Sequence, residues 1–297
     1  MQKVIVITGP TAVGKTKLSI EIAKRLHTDI INTDAYQVYR KMDIGTAKPT
    51  MREQNLVKHH FIDIIDPKDE FSVYDFQKKV RILINKMQKD NKIPLLVGGS
   101  GLYIDAVIKN YHFDEEKRID AKFDDISNET LYQMLVDLDK SAAEKIHPNN
   151  RKRLIRAIEL AQSPISKDSR SQNKDFYYDT LLIFLNDNRD ALYERINQRV
   201  DQMISDGLIE EVKAIQINHF SRTSKVAIGY KEIISYLNGD LTKEEAIALI
   251  KKNSRHYAKR QFTWFKNKTA ATIVNIDTEH FDKTIDEVEN LIKNFLS

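Results

Sequence analysis

One eight-residue run constrains this chain more than any other: Gly9-Pro10-Thr11-Ala12-Val13-Gly14-Lys15-Thr16. It matches G-x-x-x-x-G-K-[ST] at every fixed position. An apolar strand pattern precedes it at 4–7, and an amphipathic helical pattern follows, with Leu18, Ile22 and Leu26 on one side. Glycines let the backbone curl until successive N–H groups face one ligand, and the helix N-terminus adds partial positive charge. Such a loop takes a di- or triphosphate, with Lys15 on the terminal phosphate and Thr16 on Mg²⁺. An ordinary glycine turn before a helix is the weaker reading, because motif and context occur together. The loop defines a ligand class, not a reaction.

Short β-branched apolar runs recur at 4–8, 30–33, 61–65, 95–97, 181–185 and 272–276. Their near-continuous hydrophobicity predicts strands covered on both faces, hence a mainly parallel sheet. Helical patterns at 15–26, 73–89 and 102–109 alternate with them, which predicts an α/β core flanked by helices. The alternation stops between about 111 and 178. That stretch reads as polar and mostly helical (129–139 and 150–162), with a Pro/Ser/Lys/Asp-rich piece at 163–174. The expected organisation is therefore a core of residues 1–112 and 179–297 interrupted by a helical insertion at 113–178. Helical patterns resume at 189–205, 208–218, 230–237 and 243–266.

Composition narrows the chemistry. The 297 residues include no cysteine, which removes disulfides, Cys-ligated zinc, iron–sulfur clusters and thiol nucleophiles. The N-terminal apolar stretch is too short for a signal-peptide core, and no run approaches bilayer-spanning length, so the expectation is a cytoplasmic protein with no membrane partner. The net charge of +4 conceals an uneven distribution. Residues 222–268 hold 11 Lys/Arg against 4 Asp/Glu, whereas the tail from 269 to 297 holds 2 against 6. Such asymmetry suits a polyanionic partner, although charge alone fits a solvated helical surface better.

Further candidates lie beside the phosphate loop. The run at 30–33 ends at Asp34, at the strand end where open parallel sheets bind ligands. Asp34 could cap the next turn, ligate Mg²⁺ or accept a proton, and pattern alone favours the first two. Gly98-Gly99-Ser100-Gly101 follows another strand, where Ser100 could cap a helix or donate to a bound group. Arg195 and Arg199 share a helical face and could form a cationic lid or pair with Glu194 and Asp201. On the last long helix, Ile250, Tyr257, Ala258, Gln261, Trp264 and Phe265 fall together. Lys251, Lys252, Arg255, His256, Lys259 and Arg260 make a basic stripe opposite, dense enough to favour phosphate-backbone contact. Arg151-Lys152-Arg153-Leu154-Ile155-Arg156 forms a second basic cluster. His59 and His60 are adjacent on a strand and point to opposite faces, so they make no chelating pair.

These runs, taken together, resemble a known family. GPTAVGKT at 9–16, TDAYQVYRKMDIGTAKP at 33–49, HHFIDIIDP at 59–67, FSVYDF at 71–76, PLLVGGSGLY at 94–103, IHPNNRKRLIRAIE at 146–159, AIGYKE at 227–232 and RHYAKRQFTWFK at 255–266 are similar to bacterial tRNA dimethylallyltransferases, in that family's order. Ser100 stands where threonine is common and Lys41 where glycine is usual, and a glycine expected near 163–164 is missing. The Cys/His zinc finger of eukaryotic relatives is absent.

The resemblance implies a P-loop NTPase-like fold and transfer of a dimethylallyl group from dimethylallyl diphosphate to the exocyclic amine of the tRNA adenosine 3′ to the anticodon. The loop then holds a diphosphate leaving group and not ATP. Gly9, Pro10, Thr11, Ala12, Val13, Gly14, Lys15, Thr16, Ser100 and Arg199 would bind the diphosphate, with Thr16 on Mg²⁺. Asp34 would be the general base, and Lys15, Thr16 and Arg199 would assist the chemistry. The resemblance assigns tRNA contact to Asp34, Ala35, Tyr36, Gln37 and Ser100. It extends this to Lys152, Arg153, Leu154, Ile155 and Arg156 on the insertion, and to Val226, Ala227, Ile228, Gly229, Tyr230 and Lys231. The partner is the anticodon stem-loop, whose adenosine must leave its stack, and the enzyme is expected to act as a monomer.

Three rivals share parts of this pattern. A P-loop kinase of small molecules has the lid arginines and the acid after a strand, but no use for two basic clusters. An adenylate isopentenyltransferase, acting on free nucleotide, has as little use for them. An RNA-binding P-loop switch leaves Asp34 without a chemical role.

Overall fold

The computed structural model describes residues 1–111, 113, 123, 125–162, 175–216, 219–268 and 270–297. Two compact units emerge: Met1–Asn110 with Lys174–Ser297, and Tyr111–Asn173.

In the larger unit, six parallel strands run in the order β3-β2-β4-β1-β5-β6. They are β1 (Lys3–Thr8), β2 (Ile30–Asn32), β3 (His59–His60), β4 (Leu95–Gly98), β5 (Asp179–Asn186) and β6 (Thr272–Asn275). Pairing aligns Ile5 with Leu95 on one side and Leu181 on the other. Alternation along β1 explains its unbroken apolar sequence: Val4 and Val6 enter one core cluster, Ile5 and Ile7 the other. Each such side chain contributes roughly 1.5–3 kcal/mol by burial, so truncating one weakens the sheet itself.

The helices are α1 (Lys15–Arg25), α2 (Met51–Leu56), α3 (Val73–Lys89), α4 (Gly101–Ile108), α5 (Asn128–Ala143), α6 (Arg151–Gln162), α7 (Arg189–Ser205), α8 (Leu208–Ile215), α9 (Tyr230–Leu237), α10 (Lys243–Lys268) and α11 (Phe281–Leu296). Local chemistry sets several starts. Ser72 and Asp75 form a reciprocal capping box on α3, and Asn188 accepts two backbone N–H groups at the start of α7.

One strand expectation is corrected. The third strand is His59–His60, not 61–65, because Phe61 and Asp63 take left-handed φ values of 65° and 55°. Those values end the ladder, leaving a single bridge from Ile65 to Tyr39. His60 bonds Asp29 at 3.0 Å, while His59 bonds the Val57 carbonyl oxygen at 2.8 Å. The acidic tail adds an unexpected element. Helix α11 buries Ile285, Val288 and Ile292 in the core, and its Asp286 and Glu289 pair with Arg25 of α1.

The smaller unit has its own core, formed by Phe123, Leu131, Leu135, Ala143, Leu154 and Ile158. Arg151 ties it together by donating to the carbonyl oxygens of Phe123 and Ile126. Helix α5 is kinked at Asp139, whose side chain caps the next turn by accepting from Ala142 N–H at 3.1 Å. The stretch 163–174, including the position near 163–164, lies outside the described residues.

Candidate active site

The carboxyl ends of β1, β2 and β4 converge on one cavity of about 420 Å³. Strand β1 delivers the phosphate loop. Gly14 takes φ +98° just before α1, a conformation in which a Cβ is strained, and Ala12 takes φ 66°. Pro10 and Val13 are buried, so they contribute only backbone to the loop. Lys15 Nζ folds back to donate to the carbonyl oxygens of Gly9 (3.0 Å) and Pro10 (2.7 Å). Desolvation, with a smaller push from the Arg199 guanidinium, lowers the Lys15 ammonium to about 7, against an opposing pull from Asp34. Arg199 lines the same cavity and keeps an exposed edge; partial desolvation, followed by the neighbouring Arg195, also disfavours its charge. Two cations held this close, each discouraged from carrying its proton, make a site suited to a polyanion.

Strand β2 delivers Asp34. Its Oδ1 accepts from the backbone N–H of Tyr36 (2.8 Å) and Gln37 (3.3 Å). Its Oδ2 has no hydrogen-bond donor among the described residues. One oxygen therefore caps the turn and the other is available for chemistry. Desolvation raises the Asp34 carboxyl above the ordinary carboxylate range, outweighing the two backbone donors and Lys15. Strand β4 delivers Ser100, whose Oγ makes no cap on α4. It accepts instead from Ala35 N–H at 3.3 Å and lies 3.4 Å from the Tyr257 hydroxyl.

The loop after Asp34 is held by residues that spacing did not single out. Lys48, nearly buried, bonds the Tyr39 carbonyl oxygen at 2.8 Å and pairs with Asp43 and Asp63 at 2.5 Å. Glu211 of α8 accepts from the backbone N–H groups of Asp43 (2.9 Å), Ile44 (2.8 Å) and Gly45 (3.2 Å), and from the Tyr230 hydroxyl (2.5 Å). Gln37 spends its amide on the carbonyl oxygens of Thr46 and Ala47. Lys41 takes φ 61°, which accounts physically for glycine at this place in the resembling sequences.

The two lid arginines separate. Arg195 pairs with Asp187 beyond β5 and donates to the Ala12 carbonyl oxygen at 3.3 Å, so it braces the loop. Arg199, four residues on, faces the cavity. The basic stripe of α10 divides likewise. Lys251 pairs with Asp201 and Arg255 bonds Asn197 on α7, whereas Lys252, His256, Lys259 and Arg260 are exposed.

Four residues expected to meet RNA are buried. Leu154 is fully buried in the insertion core. Ala227 and Tyr230 are buried in the main core, with Tyr230 packed on Gly45. The apolar periodicity of α6 and α9 draws Leu154 and Tyr230 inward. Their neighbours Lys152, Arg153, Val226 and Lys231 are exposed, and Arg156 is partly exposed and paired with Glu159 at 3.2 Å. Ile155 and Ile228 are partly buried, and Gly229 is buried at the start of α9.

Gln261 is the residue most missed. It lies on the apolar face of α10, yet its Oε1 accepts from Thr11 N–H at 2.9 Å and its Nε2 donates to the Gly99 carbonyl oxygen at 3.0 Å. A glutamine among buried apolar residues was the available signal. Phe281 of α11 also reaches the loop: a Cβ on Gly14 would lie 3.3 Å from its ring. Among the described residues, no group of three or more His, Asp or Glu side chains is placed to hold a metal, and no helix is long and apolar enough to cross a membrane.

A family model described as IPP transferase matches residues 37–268, which leaves out the phosphate loop and α11. The tRNA dimethylallyltransferase of Anoxybacillus flavithermus is 44% identical over 98% of this chain and 96% of that protein. The crystal structure of a tRNA isopentenylpyrophosphate transferase from Staphylococcus epidermidis is 40% identical, with a TM-score of 0.75 and 99% of each chain covered. A eukaryotic dimethylallyltransferase solved while acting on tRNA is 28% identical, with a TM-score of 0.83 over 99% of this chain and 79% of that one.

Proposed function

The chain belongs to the tRNA dimethylallyltransferase (IPP transferase) family, and from that membership we propose a specific prenyl transfer for the cavity just described. The protein is a prenyltransferase that modifies tRNA. Its donor is dimethylallyl diphosphate and its acceptor is the exocyclic amine of the adenosine 3′ to the anticodon. The observation that carries this reading is the meeting of Lys15, Arg199 and Asp34 in one cavity, two cations for a leaving group and one carboxylate for a proton.

Lys15, Arg199 and the backbone N–H groups of the loop stabilise negative charge as the allylic C–O bond breaks and diphosphate departs with the electron pair. The adenine amine attacks the allylic carbon, although its lone pair is delocalised into the ring. Asp34 takes the amine proton through the oxygen that does not cap the turn, and its raised carboxyl is a better base for this task than an ordinary aspartate. Thr16 lines the cavity with one hydroxyl. That donor set fits Mg²⁺, which binds through one or two protein oxygens with substrate phosphates and water completing its shell. When bound, the ion neutralises charge on the diphosphate. Exposed Lys152, Arg153, Lys231, Lys259 and Arg260 supply the contacts to RNA backbone phosphates. The protein acts as a monomer in the cytoplasm.

Labelled dimethylallyl diphosphate and Mg²⁺ offered with either unmodified tRNA or AMP, and ATP offered separately, test the reading. Label entering tRNA and not AMP is expected. ATP turnover without prenyl transfer sinks it, in favour of a kinase.

A further inference from the structure

Gln261 is nearly fully buried beside Ala258 and Phe265, and both ends of its amide are engaged. Its partners sit at the ends of two adjacent strands, Thr11 after β1 and Gly99 after β4. The approach is close: a Cβ on residue 99 would lie 2.0 Å from Gln261 Nε2, so only glycine admits this bridge. The next residue, Ser100, accepts from the N–H of Ala35, which follows Asp34. A continuous path of hydrogen bonds and one peptide step thus joins the phosphate loop to the segment that carries the carboxylate. A neutral amide suits the place because it accepts at one end and donates at the other. A carboxylate only accepts, and an apolar isostere does neither.

We infer that Gln261 is a positioning residue that fixes the separation between the diphosphate cradle and Asp34. It thereby keeps the developing allylic cation aligned with the RNA amine and not with water. The inference rests on the prenyl-transfer reading. When alignment is lost, the C–O bond still breaks and diphosphate leaves with the bonding electrons. A water oxygen then bonds to the allylic carbon and loses a proton to solvent, giving the free allylic alcohol. Misplacement of about 1 Å can cost on the order of 100-fold in rate.

The test measures diphosphate release and RNA prenylation together, using dimethylallyl diphosphate, Mg²⁺ and an unmodified anticodon stem-loop. Wild-type protein should give close to one prenylated RNA per diphosphate released. Gln261→Met should lower the prenylation kcat by about tenfold or more, leave KM for RNA nearly unchanged, and drop the product ratio well below one. Gln261→Glu keeps the Thr11 acceptor and regains the Gly99 donor only when protonated. Its ratio should therefore recover toward wild type as pH is lowered, measured against wild type at each pH within a single folded protein. An unchanged ratio in Gln261→Met, or a ratio in Gln261→Glu that ignores pH, overturns the inference and leaves Gln261 as packing. Absence of prenylated RNA with wild type is a different result, and overturns the functional reading instead.

Discussion

The phosphate-loop cavity and the helical insertion handle charge in opposite ways. In the cavity, Lys15 and Asp34 are half-buried and desolvation is the largest cause of the shifted protonation of each, while Arg199 lines the same cavity from a more exposed position. In the insertion, Lys152 and Arg153 stay exposed on α6, while Leu154 and Ile158 of the same helix enter a small core. A desolvated charge is expensive, and is kept where it acts on reacting atoms. An exposed charge costs little and attracts a polyanion through counterion release. Chemistry and recognition are therefore separable, and substitutions in the two regions should fail differently.

The largest effect should come from Asp34→Asn. Loss of general-base assistance should reduce the kcat for prenyl transfer by about 10²–10⁴-fold, while RNA affinity measured by filter binding falls far less. A parallel loss in both would merge the roles that the comparison separates. Lys15→Met should follow, with kcat/KM for the donor down about 10²–10³-fold and KM for RNA nearly unchanged.

The pH dependence sharpens the contrast within the cavity. Lys15 binds diphosphate as its cation, and its pKa in the free protein is lowered to about 7. Donor affinity by calorimetry should be full below pH 7 and weaken as pH rises through it, by up to about tenfold per unit. Asp34 acts as its anion and its pKa is raised, so transfer should fail on acidification at a higher pH than an ordinary carboxylate would give. Donor binding insensitive to pH between 6 and 9 would contradict the desolvated lysine. The smallest effect belongs to the insertion. Lys152→Ala with Arg153→Ala should weaken RNA binding and lessen the dependence of log K on log salt by roughly two, leaving donor KM unchanged.

Much of this architecture is written in local patterns. The limits of α3, α7 and α9 follow from apolar periodicity, with a capping pair at the start of α3 and Glu232 accepting from Gly229 N–H at the start of α9, and the phosphate loop announces itself by its glycines and Lys15. Asp34 is legible as a carboxylate at a strand end, but its division into a capping oxygen and a free one needs the turn at 34–37 in three dimensions. Arg195 and Arg199 look alike on a helical wheel, and only Asp187, just before the helix, and Ala12, 183 residues from Arg195, separate brace from ligand. Helix α11 is obscured by its charge, although Ile285, Val288 and Ile292 repeat at helical spacing. Gln261 is visible as a polar residue on an apolar face, but its partners lie 250 and 162 residues away. Leu154, Ala227 and Tyr230 show the converse: they stand within runs that the resemblance assigns to RNA contact, yet their side chains are buried.

The most direct test of the account is a structure of the protein with Mg²⁺, inorganic diphosphate and an unmodified anticodon stem-loop. The expected result is diphosphate on Lys15, Thr16 and Arg199, with the target adenine amine about 2.6–3.2 Å from the Asp34 carboxylate. Diphosphate bound away from the loop, or an adenine amine that reaches a base other than Asp34, would contradict it.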